Sequence, residues 1–434
     1  MLQTSYSTDL EEHRDRAFSM ALEDIHPAQP ELFRQDVMWP YFERLRRDAP
    51  VHLTRESQFG PYWSVSTHEA IMAVDTNHHD FSSSYEHGGI VIANTPNDFP
   101  LPMFIAMDPP AHDVQRKTVQ PAVNPAALLN YEPLIRERTR HVLDRLPVGE
   151  PFDWVQTVSV ELTTMMLATL FGFPFDERRK LTRWSDVATG KNNPAICESE
   201  EQWRMELMQC LQYFSELRDR AASEPPQPNL ISILAHGEET KDMSGPEFLG
   251  NIVLLIVGGN DTTRNSMSAS ILTANTWPDE YDKLRADPGL IPNFTSEVIR
   301  WQTPLAHMRR TAVRDVEIYG QTIREGDKVV MWYLSGNRDD ALFHDAHRMI
   351  ADRENARRHI AFGFGIHRCV GNRLAEQQIR ILWEELLQRY PDVRVLEAPE
   401  RTPSVFVKGY TRLIVEIPKK NMTVRGGAHA RRRR

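Results

Sequence analysis

One helical pattern runs unbroken from Ser244 to Trp277, and any fold that holds it must be as wide as that helix is long. It opens on a capping box, Ser244 and Glu247 three apart, with Pro246 in the first turn, and stops where Pro278 forbids continuation. At about 1.5 Å per residue it spans roughly 50 Å, the width of a whole domain. Its middle reads Gly258-Gly259-Asn260-Asp261-Thr262-Thr263. Adjacent glycines inside a helix cost about 1 kcal/mol each relative to alanine, so something offsets the loss. Two offsets are available. Either a neighbouring helix packs close, or a flat ligand approaches the backbone, with Asp261 and Thr262 supplying an acid and an alcohol.

A second stretch carries chemistry: Phe362-Gly363-Phe364-Gly365-Ile366-His367-Arg368-Cys369-Val370-Gly371-Asn372-Arg373-Leu374-Ala375. Gly363, Gly365 and Gly371 let the backbone turn tightly and come close to a flat ligand, and the apolar period onward to Leu387 reads as helix. Cys369 therefore precedes a helix N-terminus, where backbone N–H groups favour the thiolate that a metal requires. A free cysteine is more often a small core residue, but a core residue has no use for this frame of glycines. A nucleophile needs a base in correct geometry, and His367 lies two residues away in an extended loop. Zinc fails on ligand count, since the other cysteines are Cys197 and Cys210 and no paired Cys/His spacing accompanies Cys369.

The stretch from Phe362 to Ala375 resembles, position for position, the haem-binding loop of the cytochrome P-450 monooxygenases, whose haem is held by a cysteine thiolate. The resemblance covers the chain from about Val37 to Ile417. It implies a mainly α fold with small β-sheets, the haem b lying between the long central helix and the helix of the cysteine loop. It makes Cys369 the axial iron ligand, places Phe362 beneath the ring near the sulfur, and sends His367 to a propionate. Gly258 and Gly371 let the ring approach the backbone. Asp261 and Thr262 match the distal motif that serves dioxygen activation, the acid relaying protons.

Other motifs fall into place on the same comparison. After Asp108-Pro109-Pro110, His112 and Arg116 stand four apart on one helix face, a spacing usually belonging to a solvated surface. In the family they clamp a propionate, and Arg310 meets the other one. Glu297 and Arg300, three apart on a helix, match a buried structural pair. The proline-punctuated but apolar stretch from Tyr85 to Ile105 implies a loop over the distal face. The implied substrate pocket is Ile92, Leu101, Leu254, Val257, Leu305, Ala306, Met308, Phe406 and Val407. Residues Asp176 to Ala222 read as two helices, in the family a lid.

Composition sets outer limits. Hydrophobic residues make up 41% of the 434, enough for a sizeable core, and a net charge of -9 gives no sign of nucleic-acid binding. Three cysteines indicate no disulfide framework and suit a reducing cytoplasm. No stretch approaches the roughly 20 apolar residues that span a bilayer. Residues 1–36 read as an N-terminal arm, 37–420 as a single haem-thiolate domain, and 421–434 as a basic tail. No flavin or iron–sulfur module is evident, so the resemblance implies electrons from NAD(P)H through a ferredoxin and its reductase. The expected docking face carries Lys117, Arg357, Arg358 and Arg368. Within the superfamily the motifs look most like the bacterial alkane and fatty-acid terminal (omega) hydroxylases, with a terpene oxygenase as the alternative. A peroxygenase would replace the Asp261–Thr262 pair, and a haem-based sensor would need no proton relay.

Overall fold

The computed structural model describes residues 2–94, 98–191 and 193–419. The chain begins with helices α1 (Leu2–Ser19), α2 (Pro30–Gln35) and α3 (Trp39–Asp48), then enters a sheet through β1 (Val51–Thr54) and β2 (Tyr62–Val65). Of residues 1–36, expected as an arm, the part from Ala17 to Phe33 packs into the body. Ala17, Ile25, Ala28, Leu32 and Phe33 are buried with Tyr41, Phe42 and Trp332 in one apolar cluster. That cluster is assembled from segments far apart in sequence, which is why local pattern did not reveal it.

Helix α4 (His68–Thr76) and β3 (Phe81–Ser82) precede the apolar loop, and α5 (Ala111–Val119), α6 (Pro125–Leu143) and β4 (Phe152–Asp153) follow it. Then come α7 (Val160–Phe171), α8 (Arg179–Thr189), α9 (Glu200–Ser223) and α10 (Leu230–His236). The long helix is α11 (Gly245–Thr276), and its N-cap is built as the sequence requires, with Ser244 Oγ accepting the Glu247 N–H at 3.4 Å. It is followed by α12 (Pro278–Ala286) and α13 (Ile291–Gln302). Strands β5 (Met308–Ala312), β6 (Val316–Ile318), β7 (Gln321–Ile323) and β8 (Lys328–Met331) lead to the short α14 (Tyr333–Gly336). Last come α15 (Asn372–Arg389), β9 (Arg394–Val395), β10 (Glu400–Arg401), β11 (Tyr410–Arg412) and β12 (Ile414–Glu416).

The largest sheet has the order β1-β2-β8-β5-β3, with β2 and β8 parallel and the other pairs antiparallel. A three-stranded sheet, β4-β12-β9, and two strand pairs, β6-β7 and β10-β11, complete the β structure. No helix among the described residues is long and apolar enough to cross a membrane. The basic run from Arg425 lies outside the described residues.

Helix α11 organises two cores. Its first half, with Phe248, Leu249, Ile252 and Ile256, packs with α7, α8 and α9. Its last turns, with Met267, Ile271 and Leu272, pack with α13 and α15. Between these cores the helix is not sheathed on every side.

Candidate functional site

Leu254, Gly258 and Thr262 follow one another at i, i+4 and i+8 on α11, and all three are at least partly exposed although the helix runs through the interior. The paired glycines have different reasons. A Cβ on Gly259 would come within 2.7 Å of Leu167 Cδ1 on α7, so that glycine serves close packing. A Cβ on Gly258 would meet nothing within 4 Å, so that glycine keeps a backbone face clear. Thr262 Oγ1 donates to the Gly258 carbonyl at 2.9 Å, which fixes its hydroxyl on the same stripe.

The cysteine loop is set by α4. Phe364 N–H and the Tyr333 hydroxyl both donate to Asp75 Oδ2 at 2.8 Å, and Arg310 Nη2 donates to Asp75 Oδ1 at 2.8 Å. Gly365, at φ +65°, is obligatory here because a Cβ would stand 2.6 Å from the Asp75 carbonyl. Gly365 thus serves the loop's anchoring, while a Cβ on Gly371 would meet nothing within 4 Å. Asp75 was not singled out from sequence. Its signal was an acid on the apolar face that carries Ile71 and Val74, a placement tolerable only with a buried cation. Arg310, expected at a propionate, is already neutralised by this carboxylate.

Cys369 N–H donates to the Phe362 carbonyl at 2.8 Å, closing the loop on itself, and the Phe362 ring lies 5.3 Å from that of His359. The cysteine lies deep in the protein yet is accessible. Burial pushes its thiol up, against the Gly371 N–H and the nearby Arg116 and Arg368, which favour the thiolate. The helix N-terminus therefore helps, as expected from sequence, but does not by itself outweigh desolvation. A metal cation on the sulfur would.

His112 and His367 meet at a ring separation of 4.3 Å. His112 Nδ1 contacts Asp113 Oδ1 at 2.7 Å, whereas His112 Nε2 and both nitrogens of His367 are buried with no partner among the described residues. The His367 imidazole is pushed far down by burial and then by the positive charge of Arg310, His112 and Arg116. Arg116 itself donates to the Arg368 carbonyl of the cysteine loop. Orphaned nitrogens crowded with cations are stable only beside an anion.

Beside the bare stripe of α11, three residues on from Gly258, Asp261 is fully buried and bonded toward α8. Its Oδ1 pairs with Arg264 at 2.8 Å, Arg264 pairs with Asp186 of α8 at 2.8 Å, and Thr189 Oγ1 donates to Asp261 Oδ2 at 3.4 Å. Burial raises the Asp261 carboxyl, Arg264 opposes, and Asp186 adds to the rise. The acid expected beside Thr262 is thus held in a charged link to α8.

Glu297 and Arg300 are both fully buried and paired at 2.7 Å, and Arg353 Nε donates to the same carboxylate at 2.9 Å. Arg300 also donates to the carbonyls of Asn337, Ala346 and Arg348, so the unit holds together the segment that leads to the cysteine loop. Of the expected pocket residues, Leu101, Leu254, Val257, Leu305 and Phe406 retain exposed surface, while Met308 and Val407 are nearly covered. The Ala306 N–H donates to the Phe406 carbonyl at 2.8 Å, joining the last loop to the segment after α13. Ile92 and Ala306 do not fit the expectation. Both pack into the N-terminal cluster, at 2% and 0% exposure, because α1 to α3 occupy the side they face.

These features can be set beside known proteins. The cytochrome P-450 family model matches residues 289–419. Linalool 8-monooxygenase from Pseudomonas putida is 38% identical over 90% of this chain and 98% of its own length. The chain belongs to the cytochrome P-450 family. A methyl-branched lipid omega-hydroxylase from Mycobacterium tuberculosis is 29% identical over 88% of this chain and 91% of its own. The solved structure of CYP153D17 from Sphingomonas sp. PAMC 26605 superposes with a TM-score of 0.87 at 50% identity, covering 92% of this chain and all of the other.

A cytochrome P-450 binds haem b and draws electrons from NAD(P)H through partner proteins. The residues present fit that group: a sulfur donor at Cys369, the unpartnered Nε2 of His112 and the His367 imidazole beside Arg116 for carboxylates, and a bare backbone face at Gly258. The bound haem supplies the redox chemistry of a monooxygenase.

Proposed function

We propose that this cytochrome P-450 inserts one atom of dioxygen into the terminal C–H bond of a medium-chain alkane or fatty acid, the other atom leaving as water. Cys369 is the iron ligand in this reading. His112, Arg116 and His367 hold the propionates, with Arg310 beside them, and Asp261 and Thr262 serve proton delivery. The carrying observation is that the expected pocket residues left partly exposed, Leu101, Leu254, Val257, Leu305 and Phe406, are all hydrocarbon. Affinity must then come from hydrocarbon burial, about 0.8 kcal/mol per methylene, which an eight-carbon chain converts to several kcal/mol. The relative named as an omega-hydroxylase supports attack at a chain end. The linalool relative supports a second reading, a terpene oxygenase, since the same apolar surface accepts a branched hydrocarbon.

Electrons are supplied by a ferredoxin and its reductase at the exposed face of Lys117, Arg357, Arg358 and Arg368. Reversing two of those charges weakens reduction and its salt dependence, and unchanged kinetics refutes the face. The deciding experiment offers octane, dodecanoic acid and linalool in competition, with ferredoxin, reductase and NADH, and identifies products by mass spectrometry. A primary alcohol or ω-hydroxy acid as main product supports terminal hydroxylation. Oxidation of linalool alone, or of internal carbons alone, rejects it in favour of the second reading.

A further inference from the structure

The loop that precedes α5 is fastened at both ends, and one fastening is made by buried cations without a carboxylate. Arg309 and Thr311 lie on one face of β5, opposite to Arg310, and His307 immediately precedes the strand. All three hold the segment 87–94. Thr311 Oγ1 donates to the His87 carbonyl at 2.7 Å, Arg309 Nη2 donates to the same carbonyl at 3.2 Å, and Arg309 Nη1 donates to Asn94 Oδ1 at 3.3 Å. The Arg309 N–H donates to the Ile90 carbonyl at 2.7 Å, and the Ile92 N–H donates to His307 Nε2 at 3.1 Å. From β8, Lys328 Nζ donates to the Ile92 carbonyl at 2.9 Å and to the Phe59 carbonyl at 2.6 Å.

Arg309 is 5% and Lys328 8% exposed, and neither has an acidic partner among the described residues. A buried cation without an anion is costly, and here the compensation comes from loop carbonyls alone. Gly88 is moulded to the guanidinium: at φ +101°, a Cβ there would lie 2.2 Å from Arg309 Nη2. At the other end, the Phe104 N–H donates to Asn251 Oδ1 of α11 at 3.1 Å, and a Cβ on Gly250 would meet the Pro102 carbonyl at 2.0 Å. The described segments on either side, 87–94 and 98–104, are thus tied to the sheet and to α11 respectively, the second two turns before Gly258, with Leu101 next to that anchor.

We propose that Arg309, supported by Lys328, is a positioning residue that sets the height of this loop over the bare stripe of α11 and so selects which substrate carbon is presented. The inference rests on the reading of the enzyme as an aliphatic hydroxylase. It depends on charge-assisted bonds to carbonyls, roughly twice as strong as neutral ones, which an uncharged side chain cannot replace.

The test compares wild type, Arg309→Gln, Arg309→Lys, Gly88→Ala and the double variant Arg309→Gln/Gly88→Ala as haem-loaded proteins. Octane and linalool binding is followed by the haem spin-state spectrum, together with product positions and peroxide released per NADH. Arg309→Gln is expected to shift oxidation to neighbouring carbons and to raise released peroxide several-fold, with the reduced carbon monoxide spectrum unchanged. Gly88→Ala should reproduce this, the double variant should add nothing to either single one, and Arg309→Lys should fall between. Wild-type product positions in Arg309→Gln overturn the proposal, as do additive effects in the double variant. Should Arg309→Gln fail to take up haem, Arg309→Lys decides, wild-type product positions again counting against. Failure of the aliphatic reading would show separately, as absence of terminal product from octane in the wild type, and the positioning role is then judged on linalool.

Discussion

Replacing Arg264 by glutamine isolates the charged link between α11 and α8. In the native chain one guanidinium bridges Asp261 and Asp186 at 2.8 Å each, with the Asp261 side chain 0% and the Arg264 side chain 16% exposed. Removing the cation leaves a carboxylate buried beside a second carboxylate. Breaking a buried pair in this way costs about 3–5 kcal/mol while the partner stays charged. Asp261 avoids that cost by taking up a proton. Its carboxyl, already raised by burial, therefore rises further. An unhindered aspartate titrates at about pH 4, so between that value and the raised folded value the native state holds more protons than the unfolded state. Stability then falls as pH increases through this window.

The expected result is a variant close to wild type in thermal midpoint at about pH 5 and several degrees below it at about pH 8, taking roughly 2 °C per kcal/mol for a chain of this size. Adding Asp261→Asn to the variant should remove most of the pH dependence, because no buried charge remains. Calorimetry or dye-monitored melting at both pH values reads the effect, and product formed per NADH reads its consequence for proton delivery. An offset from wild type that is the same at both pH values refutes the reasoning, since it would mean that Asp261 does not carry the charge assigned to it.

Thr262→Ala should leave NADH consumption largely in place while most of the reducing equivalents appear as free hydrogen peroxide. Unchanged coupling of NADH to product would remove Thr262 from proton delivery. Lys408 is buried, its ammonium 5.0 Å and 5.3 Å from the ring centres of Trp301 and Trp39, and burial pushes it down to about 7. The unfolded chain then holds the extra proton between pH values of about 7 and 10, so native stability rises with pH across that range. Lys408→Met should abolish the rise, and equal slopes of melting temperature against pH in the two proteins would show that Lys408 is not its source.

Much of the site was legible because its signals are local. The capping box at Ser244 and Glu247, the halt at Pro278 and the glycine frame of Cys369 each act within a turn or two of chain. The ion-pair partners were not legible. Asp75 and Arg310 are separated by 235 residues, and nothing near either announces the other. Ile92 and Ala306 looked like pocket wall by position, yet packing against the N-terminal helices covers them.

The sequence by itself determined where the long helix starts and stops, which sulfur is available as a donor, and that the chain is a mainly helical member of its family, because backbone preference and motif spacing are short-range properties. Tertiary structure decided which stripe of α11 stays bare, why Gly258 differs from its neighbour Gly259, and which cation neutralises Asp261. Those depend on which surfaces meet, and burial and charge pairing have no meaning until they do.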